Sequence, residues 1–204
     1  MRTLEPGGKK KKKSYRDWHV PLACCRKTLR ECERELAEHA VRPSEIPWLI
    51  QVVENPKFDL PGFDLFHGAV DLKTHDRIHI LLGRGLLPKD EAFVIGFTMG
   101  STDRVSATEE ALYAFFSRHL YPKKYQFSDS DVRVFRDAVR LGFISDCRSL
   151  SQVDYEPLLD LPLEEVRKRL GVEEDLLRAY YRIEKNRYAE SRESQRLLED
   201  GDHG

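Results

Sequence analysis

Apolar residues recur along this chain at three- and four-residue steps, and nowhere do they alternate over a length that makes a convincing strand. That period restricts the chain to helices. Leu22, Cys25, Leu29, Cys32 and Leu36 predict a helix over residues 22–39, with Cys25 and Cys32 as core fillers. Residues 43–47 open a second, short helix through Ile50 and Val53, and the prolines and glycine of residues 55–64 make a loop. A third helix over residues 65–82 is stopped by Gly83 and Gly85. Pro88 opens the next, which is apolar all round over residues 92–99 and so lies in a core or lines an apolar groove. Ser106 or Thr108 caps a fifth helix ended by Pro122, and Ser128 or Ser130 caps a sixth through Val132, Phe135, Val139 and Phe143. Residues 145–157 read as irregular. Pro162 opens a short helix stopped by Gly171, and a last, charged helix spans residues 173–199 and frays after about Tyr188. The expected fold is all-α: a compact multi-helix single domain with a charged C-terminal helical extension.

Charge divides the chain into three parts. Lys plus Arg number 34 and Asp plus Glu 35, for a net charge of −1. Residues 1–13 hold six basic residues and one acidic (net +5), and the other 191 hold 28 basic and 34 acidic (net −6). A net-acidic body argues against nucleic acid as a partner. Lys9 to Lys13 follow Pro6, Gly7 and Gly8, so residues 1–20 read as a disordered basic tail. An anionic membrane surface would attract such a tail by about 1 kcal/mol per basic residue, without an apolar anchor to hold it. Residues 21–172 read as the helical domain and 173–204 as the extension. The four cysteines contain no CxxC pair and point to a reducing cytoplasm. No apolar run reaches the ~20 residues of a membrane span, and no signal peptide is expected.

The segment His75-Asp76-Arg77-Ile78-His79 carries the chemistry. His75 and His79 are four apart, so on a helix their rings share one face, the spacing by which a helix offers two imidazoles to a metal. Asp76 is adjacent and within reach of a shared ion. Glu91 comes after the turn, at the start of the next helix, where the positive dipole end favours a carboxylate. This donor set suits Zn(II), Fe(II), Co(II) or Mn(II). Asp71, four before His75, is placed to accept its second ring N–H, and His67 is a further candidate donor one turn earlier. Arg77 reads as solvent-facing, and His19, His39, His119 and His203 as surface or capping residues. By spacing alone, the His75–Asp76 pair reads equally as an ordinary surface pair.

HDRIH, then ILLGRGLLPKD, then Glu91 reproduces a pattern of HDxxH, eleven residues and Glu. Downstream come Ala138, Arg140 and Gly142 at a helix end, the Tyr155-Glu156 pair, and LPLEEVRKRLGV over residues 161–172. Over residues 45–172 the chain thereby resembles the small helical proteins of ubiquinone (coenzyme Q) biosynthesis, the fourth numbered member of the eukaryotic set and its bacterial relatives. The resemblance implies that His75, Asp76, His79 and Glu91 are metal ligands and catalytic residues. It implies a prenylated quinone precursor or isoprenoid lipid as partner, and metal-dependent oxidative decarboxylation at ring carbon 1, with carboxyl replaced by hydroxyl. It further implies a homodimer, peripheral to the inner membrane, alongside other quinone-biosynthesis proteins. Tyr155 departs from the tryptophan usual there, and the lysine tail and the segment after residue 173 have no counterpart. Three alternatives remain open: a non-catalytic lipid-binding scaffold organising the biosynthetic enzymes, a zinc hydrolase with Asp76 in the general-base position of HExxH, and an HD-type phosphohydrolase.

Overall fold

A helix begins with N–H groups that lack intrahelical partners, and two helices of this protein find those partners in each other's flanking segments. The computed structural model describes residues 15–39, 72–102 and 127–198. Helix α1 (Leu29–His39) sends the N–H groups of Leu29 and Arg30 to the carbonyls of Leu161 and Leu159. Helix α5 (Leu163–Leu170) sends those of Leu163 and Glu164 to Lys27 and Cys25. The exchange pins residues 25–30 to residues 159–164, with one isolated bridge between Thr28 and Pro162.

The remaining described helices are α2 (Leu72–Leu82), α3 (Pro88–Gly100), α4 (Asp129–Ile144), α6 (Glu174–Arg187) and the short α7 (Arg192–Gln195). Among the described residues there is no strand, and the fold is all-α. The second and fifth predicted helices, the 55–64 loop, residues 65–71 of the third helix and residues 1–14 of the tail lie outside the described residues. Among those described, no helix is long and apolar enough to cross a membrane.

Several predicted boundaries shift for identifiable reasons. Helix α1 starts at residue 29, seven residues later than the apolar spacing suggests. Thr28 N–H donates to Glu31 Oε2 (2.7 Å) and Glu31 N–H donates to Thr28 Oγ1 (3.2 Å), a reciprocal cap that fixes the start. Cys25 therefore sits before the helix and is half-buried, whereas Cys32 lies in the core. Trp18 and Val20, expected to belong to the basic tail, are core residues. Residues 145–157 contain two 3-10 turns, Leu150–Gln152 and Glu156–Leu158. The charged C-terminal helix is no appendage. Leu177, Tyr180 and Tyr181 of α6 and Leu197 beyond α7 belong to the same core as Leu29, Ile78 and Phe93.

Helix α3 is buried on every side, as its all-round apolar sequence requires, and packs chiefly on α4. The groove-lining alternative for residues 92–99 gives way to core packing. The α3–α4 contact is backbone-close: a Cβ on Gly142 would overlap the Phe97 carbonyl oxygen and fall 2.9 Å from Ser101 N. Ser128 Oγ accepts from Asp131 N and caps α4. Helix α6 is tied to α4 at two places, with Asp146 N–H donating to Glu173 (3.0 Å) near one end and Arg187 donating to Asp137 (2.8 Å) farther along.

Gly142→Ala should lower stability by about 1–3 kcal/mol through overpacking, although alanine is the better helix former by about 1 kcal/mol. The midpoint and slope of a urea unfolding curve measure this, and an unchanged midpoint would contradict so close a helix contact.

Candidate metal centre

Helix α2 ends in a tightly bonded turn that directs the chain into α3. Gly83 adopts φ +66°, Gly83 N–H donates to Ile80 O, and Arg84 N–H donates to His79 O. Side chains capture the other terminal carbonyls. Arg167 donates to Leu81 O (3.0 Å) and Ile80 O (3.4 Å), and Tyr181 OH donates to Leu82 O. The chain doubles back through Gly85 and Leu86. Pro88 then opens α3, whose Asp90 carboxylate accepts from Leu87 N–H (3.1 Å). The first turn of α3 is thereby set beside His75 and His79.

Three donor atoms meet there. His79 Nε2 lies 2.9 Å from His75 Nε2, His75 Nε2 lies 3.0 Å from Glu91 Oε2, and His79 Nε2 lies 3.4 Å from that same oxygen. His75, His79 and Glu91 are all buried, with His79 fully so. Ligands about 2.1 Å from a tetrahedral ion lie about 3.4 Å from one another, so the triangle is close to the size that an ion needs. His79 Nδ1–H donates to Gly85 O (2.7 Å), which leaves Nε2 as the ring's inward-facing donor atom.

The electrostatics point the same way. Burial, then the neighbouring His79, lowers the His75 pKa. Burial disfavours a charged His79 ring, but Glu91, Asp76 and Asp90 more than offset it and raise its pKa. Glu91 also suffers burial, yet His79 and His75 hold its carboxyl well below the usual range. The single hydrogen on His75 Nε2 cannot serve both His79 and Glu91, and a hydrogen on each Nε2 would clash across 2.9 Å. A cation among the three satisfies all of them. This buried His75–His79–Glu91 group could hold a metal ion.

Asp76 is not one of the three grouped donors. It is half-buried beside them, and burial pushes its carboxyl up to about 6, helped by Glu91 and Glu33 and opposed by His79. Asp71 and His67 lie outside the described residues, as do His119 and His203. Arg77 is not solvent-facing: it is buried, donating to Glu33 and to Glu156 (3.2 Å), with its guanidinium 5.5 Å from the Tyr155 ring centre. Helix α1 and the Tyr155–Glu156 corner cover the side of α2 that the sequence leaves to water. His19, half-buried, bonds through Nε2 to Gly83 O (3.1 Å) just past the end of α2, in keeping with a capping role. His39 Nδ1 bonds to Glu35 O (2.7 Å) at the end of α1, in keeping with a capping role.

Sequence reasoning missed the charges behind the turn. Arg84 donates twice to Glu184 (3.0 and 2.7 Å), Ser194 Oγ donates to Glu184 (3.0 Å), and Arg196 donates to Asp90. All are buried, and Arg84 also lies over the rings of Phe93 (3.8 Å) and Tyr181 (4.4 Å). The two arginine–carboxylate pairs join residues 100 or more apart in sequence, so no local pattern connects them.

No protein-family model, curated protein or solved structure matches the chain.

His19 offers a test of this packing by pH. Burial, then Arg196, lowers its pKa to about 4. A folded-state value below the unfolded one means that His19 favours the fold above about pH 6.5 and loses that contribution as the pH falls towards 4. His19→Gln should flatten the pH dependence of the melting temperature within that window. Parallel curves for the two proteins would contradict a half-buried His19 held neutral against Gly83 O.

Proposed function

We propose that this protein is a divalent-metal protein of the ubiquinone-biosynthesis type, acting on the head group of a prenylated quinone precursor. The observation that carries the reading is the buried convergence of His75 Nε2, His79 Nε2 and Glu91 Oε2. Zn(II), Fe(II), Co(II) and Mn(II) all accept such a mixed imidazole–carboxylate set. The family resemblance supplies the substrate class and the reaction, oxidative decarboxylation at ring carbon 1, in which carbon dioxide leaves, hydroxyl takes its place and an external two-electron oxidant such as dioxygen accepts the electrons.

Support also comes from where the other resembling residues lie, for they surround the same two helices. Glu156 bonds Arg77, next to Asp76 on α2. Arg167, from the 161–172 segment, donates to the last carbonyls of α2. Gly142 meets α3. Segments far apart in sequence thus lean on the helices that bear the imidazoles and the carboxylate.

A divalent ion bound there supplies Lewis acidity, which polarises a substrate oxygen. The chain's own groups have separate tasks. Gly85 O holds His79 in one tautomer, Glu91 contributes negative charge, and the surrounding core excludes water. The resemblance makes Asp76, half-buried next to His75 on α2, a further ligand of that ion.

His79→Ala tests both parts of the reading. Elemental analysis of purified protein should show about one transition-metal ion per chain in the wild type and none in the variant. The variant should also fail to restore growth to a strain deficient in quinone-ring decarboxylation. A wild type without metal would overturn the metal reading. Full complementation by a metal-free variant would favour the non-catalytic scaffold.

A further inference from the structure

The C-terminal segment, residues 191–198, reaches the turn beside the candidate metal centre through Arg196. Ser191 caps the short α7, Ser194 Oγ donates to Glu184, and Gln195 donates to Lys185 O (2.9 Å) and Tyr188 O (3.2 Å). Leu197 is buried in the core. These contacts deliver Arg196 to the turn between α2 and α3. Its Nη2 donates to Asp90 and its Nη1 to Arg16 O (3.3 Å).

The guanidinium contacts both halves of the donor group indirectly. Asp90 precedes Glu91 and caps α3 through Leu87 N–H, so its position sets the first turn from which Glu91 projects. Gly85 is the residue whose carbonyl orients His79. A Cβ on Gly85 would overlap Arg196 Nη2 and fall 2.8 Å from Trp18 O, so the arginine lies directly against that backbone. Without Arg196, Asp90 keeps, among the described residues, Arg84 Nη1 at 4.0 Å as an ion-pair partner, and the Gly85 backbone loses its backing. Among the described residues, Asp90 Oδ1, Arg84 Nε and Arg196 Nε have no hydrogen-bond partner even with the segment docked.

We propose that Arg196 is a positioning residue for the metal centre, holding His79 through Gly85 and Glu91 through Asp90, so that metal affinity depends on docking of the C-terminal segment. The proposal rests on the metal reading above and adds a part of the chain that the sequence motif does not contain.

The test is titration of metal-free, full-length protein with Co(II), followed by calorimetry and by the visible ligand-field bands. Arg196→Ala should weaken Co(II) binding at least tenfold and shift the bands, because the ligands no longer converge at the same angles. Val139→Ala, a buried change on α4 beside Gly100 at the far end of α3, serves as the comparison for lost stability alone and should leave affinity and bands as in the wild type. Equal affinity and bands in Arg196→Ala and the wild type would overturn the proposal and leave the metal reading intact. Failure of the wild type to bind Co(II) would overturn the metal reading, and the proposal with it. If Arg196→Ala does not fold, Arg196→Lys decides. Lysine keeps a charge for Asp90 but cannot lie against Gly85 as a planar fork, so binding should weaken several-fold, and wild-type affinity would overturn the proposal.

Discussion

Electron-pair donors that face one another at hydrogen-bond distance need positive charge among them. At the joint of α2 and α3, two imidazole nitrogens and a carboxylate oxygen form a triangle with sides of 2.9, 3.0 and 3.4 Å, away from water. Leaving such a group uncompensated in a low-dielectric interior is costly, and a divalent ion would compensate all three donors at once. The arrangement persists because the surrounding backbone fixes each donor independently. His75 and His79 are set by helical spacing, His79 also by the Gly85 carbonyl, and Glu91 by the start of α3.

Behind that joint lies a second concentration of charge. Arg84, Arg196, Asp90 and Glu184 are buried together, two cations against two anions. Taking each from water costs several kcal/mol, which the pairings offset only while all four stay in place. Such a cluster adds little net stability compared with an apolar core, but it fixes one arrangement of the turn and penalises others. The polar side chains here therefore determine the geometry of the joint, while Ile78, Phe93, Tyr181 and their neighbours supply the driving force.

Much of this is readable from local chemistry. Gly83 stopping α2, Pro88 opening α3, Ser128 capping α4 and Gly171 ending α5 each come from what one residue does to the backbone. The i, i+4 imidazoles and the return of Glu91 come from helical period plus a short reversal. The misreadings arise where local chemistry is taken too broadly or too narrowly. Apolar spacing over residues 22–28 suggests helix, although the Thr28–Glu31 cap lies in plain view. Arg77 looks like a surface residue because a side chain's type says nothing about which distant segment will cover it. Helix α6 looks like an appendage on its charge content, yet its apolar positions Leu177, Tyr180 and Tyr181 all belong to the core. Arg196 has no local signature at all, since its meaning comes from Asp90, 106 residues earlier.

X-ray absorption at the metal edge of Zn(II)- or Co(II)-loaded protein tests the central claim most directly. The account predicts a nitrogen and oxygen shell at about 2.0–2.1 Å with the multiple scattering of two imidazoles, and a changed shell in Glu91→Gln. A spectrum without imidazole scattering, or one indifferent to Glu91→Gln, would mean that the three donors do not share an ion.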